Sequence, residues 1–212
     1  MTGPPASERL GELIALAREG HTVAFIERAW DLEPADLADV LASLNDEERI
    51  ALVRVLPPEL SSQALVEMPD HAHAEVTLAA LDPEQAAEIV GELEDDDAAD
   101  LLGVLEPEQQ ERILAGVEDR HDVDRLLRYD EESAGGLMTT SLVTVTDVDT
   151  VSFAVEAIRR QAEEVEEVTE IFVVDAHRRL VGLLPFKHLV LSSPVGLVRD
   201  VMVPADVRVG PD

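Results

Sequence analysis

The sequence predicts a chain of two parts: a right-handed α-solenoid of short helices, then a small α/β unit of β-α-β-β-α order. Three observations carry this. A leucine-like residue returns at Leu32, Leu44, Leu56, Met68, Leu81, Leu93, Leu105 and Val117, at twelve-residue intervals except for the thirteen between Met68 and Leu81. A fixed short period of this kind marks a stacked repeat. The rhythm stops near residue 128, and short runs of branched apolar residues begin near Val143. Finally, 46% of the 212 residues are hydrophobic but only 3% aromatic, so the cores must be aliphatic. The expected domains are 1–128 for the helical repeat, 129–140 for a linker, and 141–212 for the α/β unit with the start of a second such unit.

Each twelve-residue segment reads as one helix and a turn. In Leu81-Asp82-Pro83-Glu84, Asp82 suits the N-cap, Pro83 the first helical position, and Glu84 the positive end of the helix dipole. Ala86, Ile89, Val90 and Leu93 form the apolar stripe. Leu105-Glu106-Pro107-Glu108 and Leu56-Pro57-Pro58-Glu59 start alike. Helices of about nine residues are marginal alone in water, so they must stack. Ser7 to Arg18 and Val23 to Arg28 are expected to cap the stack, with Phe25 and Trp30 packed there.

The pair Gly135-Gly136 suits a tight connection. Leu142 to Val145 is strand-like, and Asp149-Thr150 can cap a helix over Val151 to Ala162. Glu170 to Asp175 and Arg179 to Leu184 are expected to form a hairpin around Ala176-His177-Arg178, followed by a helix over Phe186 to Leu191.

The charge excludes several functions. The chain carries a net −30; residues 1–134 hold 34 acidic against 9 basic side chains. Such a surface repels nucleic-acid phosphates and anionic lipid heads and favours cations and basic partners. The same acidity also suits solubility in a salt-rich cytoplasm. No run of roughly 18 apolar residues is present, so no segment is expected to insert in a membrane. With no secretory signal and no cysteine, a cytosolic protein is expected.

Val173-Val174-Asp175, Leu180-Val181-Gly182-Leu183-Leu184 and Val198-Arg199-Asp200-Val201-Met202, in that order, resemble a CBS domain. The repeat, the string Asp96-Asp97-Ala98-Ala99-Asp100-Leu101-Leu102-Gly103, and Ser133-Ala134-Gly135-Gly136-Leu137-Met138-Thr139 together resemble the cytosolic part of the MgtE family of magnesium channels or transporters. The resemblance implies a Mg²⁺-sensing regulatory region that gates a pore, at the cytosolic face of the cell membrane. It implies a homodimer formed through the CBS unit, and a transmembrane part and second CBS unit beyond this chain. Met202 to Asp212 would open that second unit.

Asp96 and Asp100 lie four apart on a helix and so face one side, with Asp97 beside them. Mg²⁺ takes one or two carboxylates and keeps several waters, which suits such a pair. By the resemblance, Asp96 and Asp100 match family residues that contribute to Mg²⁺ binding, with Asp97 as a third candidate. Ca²⁺ or Mn²⁺ would stand in the same place. The alternative is that these are solvated first-turn acids. Glu67 and Asp70 are weaker additions.

CBS units often hold adenine nucleotides through a hydroxyl residue and an Asp after a glycine. Here Pro185 and His188 stand at those positions, so no nucleotide is expected. No enzyme is expected either. Ser133 has no neighbouring base, His71 and His73 should fall on different helix faces, and His21, His121 and His177 should lie at turns. The competing function is a soluble interaction scaffold with no transport role, its solenoid holding a basic protein partner.

Overall fold

The computed structural model describes residues 6–130, 133–140, 142–161 and 170–205. The chain divides into two compact units, residues 1–131 and 132–212. The stretch expected as a linker, 129–140, falls on that division.

The first unit is built from α1 (Ala6–Arg18), α2 (Thr22–Ala29), α3 (Pro34–Ala42), α4 (Asp46–Val53) and α5 (Pro58–Val66). After a 3-10 turn at Asp70–Ala72 follow α6 (Ala74–Ala79), α7 (Pro83–Gly91), α8 (Asp95–Gly103), α9 (Pro107–Leu114) and α10 (His121–Leu126). Every recurrent leucine-like residue sits in the turn just past a helix. Its N–H donates to the carbonyl three residues back, as in Leu44 to Leu41 (3.1 Å), Leu81 to Leu78 (3.1 Å) and Leu105 to Leu102 (3.0 Å). The last helical turn is thereby tightened and its orphan carbonyls are satisfied. The thirteen-residue interval is where the extra turn sits, and His73 leaves it in the left-handed region at φ 54°.

From α3 onward, helices pack chiefly on the next helix but one rather than on their immediate successors. α3, α5, α7 and α9 pack in one series, and α4, α6, α8 and α10 in another. The repeating structural unit is therefore a helix pair, twice the twelve-residue period. The first series carries its own mark: all four helices begin with proline, at Pro34, Pro58, Pro83 and Pro107. In the second series α4 has a capping box instead, Asn45 Oδ1 accepting from the Glu48 amide and Glu48 Oε2 from the Asn45 amide. Asp82 stands at the N-cap of α7 as expected, but its side chain makes no cap hydrogen bond.

The core is aliphatic: Leu37, Leu41, Leu65, Leu78, Ile89 and Leu102 are at most 2% exposed. Phe25 joins it at 0%, whereas Trp30 is 54% exposed. The expected packing of Trp30 is thus corrected. It follows α2, whose contacts run to α1, and among the described residues it stays more than half exposed.

The second unit contains β1 (Val143–Thr146), α11 (Val151–Gln161), β2 (Ile171–Val174), β3 (Leu180–Leu183), α12 (Phe186–Leu191), α13 (Val198–Val201) and β4 (Val203–Pro204). The sheet order is β1-β2-β3-β4, with β1 parallel to β2 and the other pairs antiparallel. Val143, Val145, Ile171 and Val173 alternate inward onto Ala154, Ile158, Leu189 and Val198. Val203 and Pro204, expected to lead into a second unit, pair with β3 of this one, opposite Leu183 and Gly182. The remainder of that segment, and Ala162 at the end of the expected helix, lie outside the described residues.

Side chains occupy the outer edge of β1. Gln161 Oε1 accepts from the Thr144 amide at 2.9 Å, its Nε2 donates to the Thr144 carbonyl at 3.1 Å, and Asp149 Oδ2 accepts from the Thr146 amide at 2.8 Å. The β2–β3 turn is clamped by Asp175, whose carboxylate accepts from Arg179 Nε (2.9 Å) and from the His177 and Arg179 amides. The Arg179 side chain, then the Arg179 and His177 amides, draw the Asp175 pKa from its ordinary 3.8 to about 2. A folded pKa below the unfolded one means the clamp's contribution is complete above the ordinary value. It is lost as pH falls through about 2. The Asp175 carboxyl carbon, followed by NMR, is expected to titrate with a midpoint near 2 and to move up in Arg179→Gln. An ordinary midpoint in the native chain would remove the clamp.

Candidate cation site and its surroundings

The acidic string lies on α8. Glu94 is the N-cap, and Asp95, Asp96 and Asp97 fill the first turn, where the helix dipole favours negative charge. The helix is continuous to Gly103, so Asp96 and Asp100 do share one side, as their spacing predicts. Asp96 and Asp97 are half-buried and Asp100 is exposed. Ala98, Ala99, Leu101 and Leu102 point the other way, into the core, and hold the acidic face outward.

Among the described residues, no three His, Asp or Glu side chains are arranged to enclose a metal ion. What α8 offers is a pair of carboxylates one turn apart. That donor set fits Mg²⁺ held by two carboxylates with water filling the rest of its shell. Glu67, at the C-cap of α5, and Asp70, opening the 3-10 turn, are exposed and belong to a different turn of the chain.

The histidines are spread out. His71 and His73 do not share a helix: the first lies in the 3-10 turn, and the second precedes α6 and pairs with Glu75 at 3.0 Å. In the second unit Pro185 is the N-cap of α12, and His188 Nδ1 lies 2.6 Å from the Val201 carbonyl, which occupies that ring nitrogen. A Cβ at Gly182 would come within 2.7 Å of the Val203 carbonyl oxygen and 2.8 Å of Met202 Sδ, so only glycine lets β4 close on β3.

Sequence reasoning missed one polar centre. Arg49 of α4 is 3% exposed. Its Nε donates to Thr77 Oγ1 of α6 at 2.7 Å, its Nη1 to the Leu44 carbonyl at 3.3 Å, and its Nη2 pairs with Asp46. The signal was present. The fifth position after Leu32, Leu56, Leu81 and Leu93 is a core position, filled by Leu37, Ser61, Ala86 and Ala98, and after Leu44 that position is Arg49.

An acidic stack of paired helices joined to a β-α-β-β-α sheet unit defines a class, that of an α-solenoid carrying a CBS-like unit. Residues 32–132 match the model of the MgtE intracellular N domain. Curated relatives include the magnesium transporter MgtE of Thermus thermophilus, 34% identical over 92% of this chain and 44% of its own length. The magnesium transporter MgtE of Bacillus subtilis is 26% identical over 92% of this chain and 44% of its own length. A crystal structure of the cytosolic domain of the Mg²⁺ channel MgtE in complex with ATP matches with a TM-score of 0.84 at 31% identity, over 96% of this chain and 84% of that one. The soluble part of a magnesium transporter matches with a TM-score of 0.81 at 25% identity, over 96% and 80%.

The chain belongs to the MgtE family, and the stretch of an MgtE protein to which it corresponds is the cytosolic one. It spans less than half the length of these two curated relatives. Among the described residues, no helix is long and apolar enough to cross a membrane.

Proposed function

We propose that this chain is the Mg²⁺-responsive regulatory region of an MgtE-type magnesium transporter. The observation that carries this reading is the outward carboxylate face of α8, on a chain similar over nearly its whole length to an MgtE cytosolic domain. The first unit is strongly acidic and repels other acidic surfaces when cations are scarce. Divalent ions at Asp96 and Asp100, with Asp97 beside them, offset that repulsion and favour a compact arrangement with the CBS-like unit. A ligand shifts such an equilibrium only by its preference for one state, and the compact state is the one that gathers carboxylates around the ion. The region gates a transmembrane part of the same protein and performs no enzymatic reaction. It works as a homodimer through the CBS-like unit, a reading supported by the exposed Val190, Leu191 and Val195 of its helical side. No nucleotide is assigned, because Pro185 and His188 supply neither the hydroxyl nor the carboxylate that a ribose contact needs.

The test is a Mg²⁺ titration of the chain and of Asp96→Ala/Asp100→Ala, followed by thermal unfolding and sedimentation. A ligand bound only by the native state stabilises by ~2.7 kcal/mol at a hundred times its Kd. The expected result is a saturable rise in Tm on a chain that sediments as a dimer, absent with Na⁺ at matched ionic strength and lost in the variant. An equal, unsaturated rise in both proteins would mean charge screening alone and would sink the sensing reading. A monomer at all concentrations would sink the dimer.

A further inference from the structure

On the first unit, α7, the start of α8 and the turn from α9 into α10 surround an open groove of about 830 Å³. Ala87, Val90, Val117 and Val123 give it an apolar floor. Glu88, Glu92, Asp95, Glu118, Asp119 and Asp122 stand around it, and among the described residues no Lys or Arg lines it. Asp122 is also paired outside the lining, with Arg125 at 3.2 Å and His121 at 3.1 Å.

Two glycines shape the wall. A Cβ at Gly116 would meet the Cβ of Ala87 at 2.8 Å, so the turn after α9 comes this close to α7 only with glycine. A Cβ at Gly91 would meet nothing within 4 Å, because Gly91 opens onto the groove itself.

The size lies within the range of sites that take up ligand side chains rather than graze a flat surface. The charge says which side chains. Phosphates and anionic lipids are repelled. A single inorganic ion is poorly matched, since no three of these carboxylates are arranged around one point. A partner with several positive charges spaced along its length, and aliphatic groups between them, meets both the rim and the floor. We propose that this groove docks a short basic amphipathic segment of a protein partner, Arg or Lys against the rim and aliphatic side chains on the floor. The proposal does not rest on the cation-sensing reading, and either can fail alone.

The test uses the full 212-residue chain. A labelled helical peptide of leucine, alanine and arginine is titrated by fluorescence anisotropy at physiological salt, beside matched peptides with serine for leucine or glutamate for arginine. Gly91→Leu fills the groove without changing the charge. Glu88→Gln/Glu118→Gln removes two rim charges, and Glu27→Gln/Glu47→Gln removes two exposed charges elsewhere. The expected result is saturable binding of the leucine-arginine peptide alone, weakened about tenfold by Gly91→Leu and by the rim pair but not by the distant pair. If Gly91→Leu fails to keep the native unfolding midpoint, the two charge pairs decide. Equal weakening by both pairs, undiminished binding to folded Gly91→Leu, equal binding of the serine peptide, or no binding would each overturn the proposal.

Discussion

Arg49→Ala is expected to lower the stability of the first unit by about 3 kcal/mol. The side chain is buried between α4 and α6 and donates to Thr77 Oγ1 and to the Leu44 carbonyl. Truncation leaves a cavity and strips a donor from the hydroxyl of Thr77, itself 0% exposed. The ion pair with Asp46 is the smaller part, because the Asp46 side chain is 69% exposed and screened by water. Asp46→Asn should therefore cost less than about 1 kcal/mol. Thr77→Val should cost about 2 kcal/mol, leaving a charged donor buried without an acceptor. Urea unfolding of the three variants checks the order. An Asp46→Asn loss as large as that of Arg49→Ala would mean that the surface pair, not the buried contacts, holds the two helices.

Gly182→Val is expected to destabilise the second unit by about 3 kcal/mol or to detach β4 from β3. The first added carbon already lies 2.7 Å from a backbone oxygen of Val203, which cannot yield as a flexible side-chain tip could. The neighbouring Met202 sulfur, at 2.8 Å, can move. The pairing of Leu183 with Val203 and the Ala205 amide bond to Val181 (3.1 Å) should be lost together. Amide exchange at Val203 and Ala205 reads this directly. Native protection at those amides in Gly182→Val would show that the backbone has room that the geometry denies.

Helix positions were legible because each helix end is written locally. The recurrent leucine-like residue ties the last turn, and the next residues start the following helix, so Pro83 and Pro107 sit where the sequence predicts. The pairing of the helices was harder to see. The twelve-residue leucine pattern is shared by both series, whereas the proline that separates them returns only at every second helix. Strand ends shifted by about a residue. The closure of Val203 and Pro204 on β3 was not legible, because their partner, Gly182, is specified by the absence of a side chain rather than by any apolar pattern. In the candidate site, the common side of Asp96 and Asp100 follows from helical spacing alone. The setting of Arg49 and the acidic groove do not, since both depend on residues some thirty positions apart meeting across stacked helices.

The edges of the small sheet have a consequence for assembly. A strand left with open amides invites another chain to pair with it, and natural sheets guard against that. Here one border is blunted by a two-residue strand ending in Pro204, which has no N–H to give. On the opposite border, Gln161 and Asp149 already occupy the amides that an incoming strand would need. Growth of this sheet by strand addition is closed off on both sides. Two copies that meet through this unit would do so by side chains, in a contact that can form and release without remaking a backbone ladder.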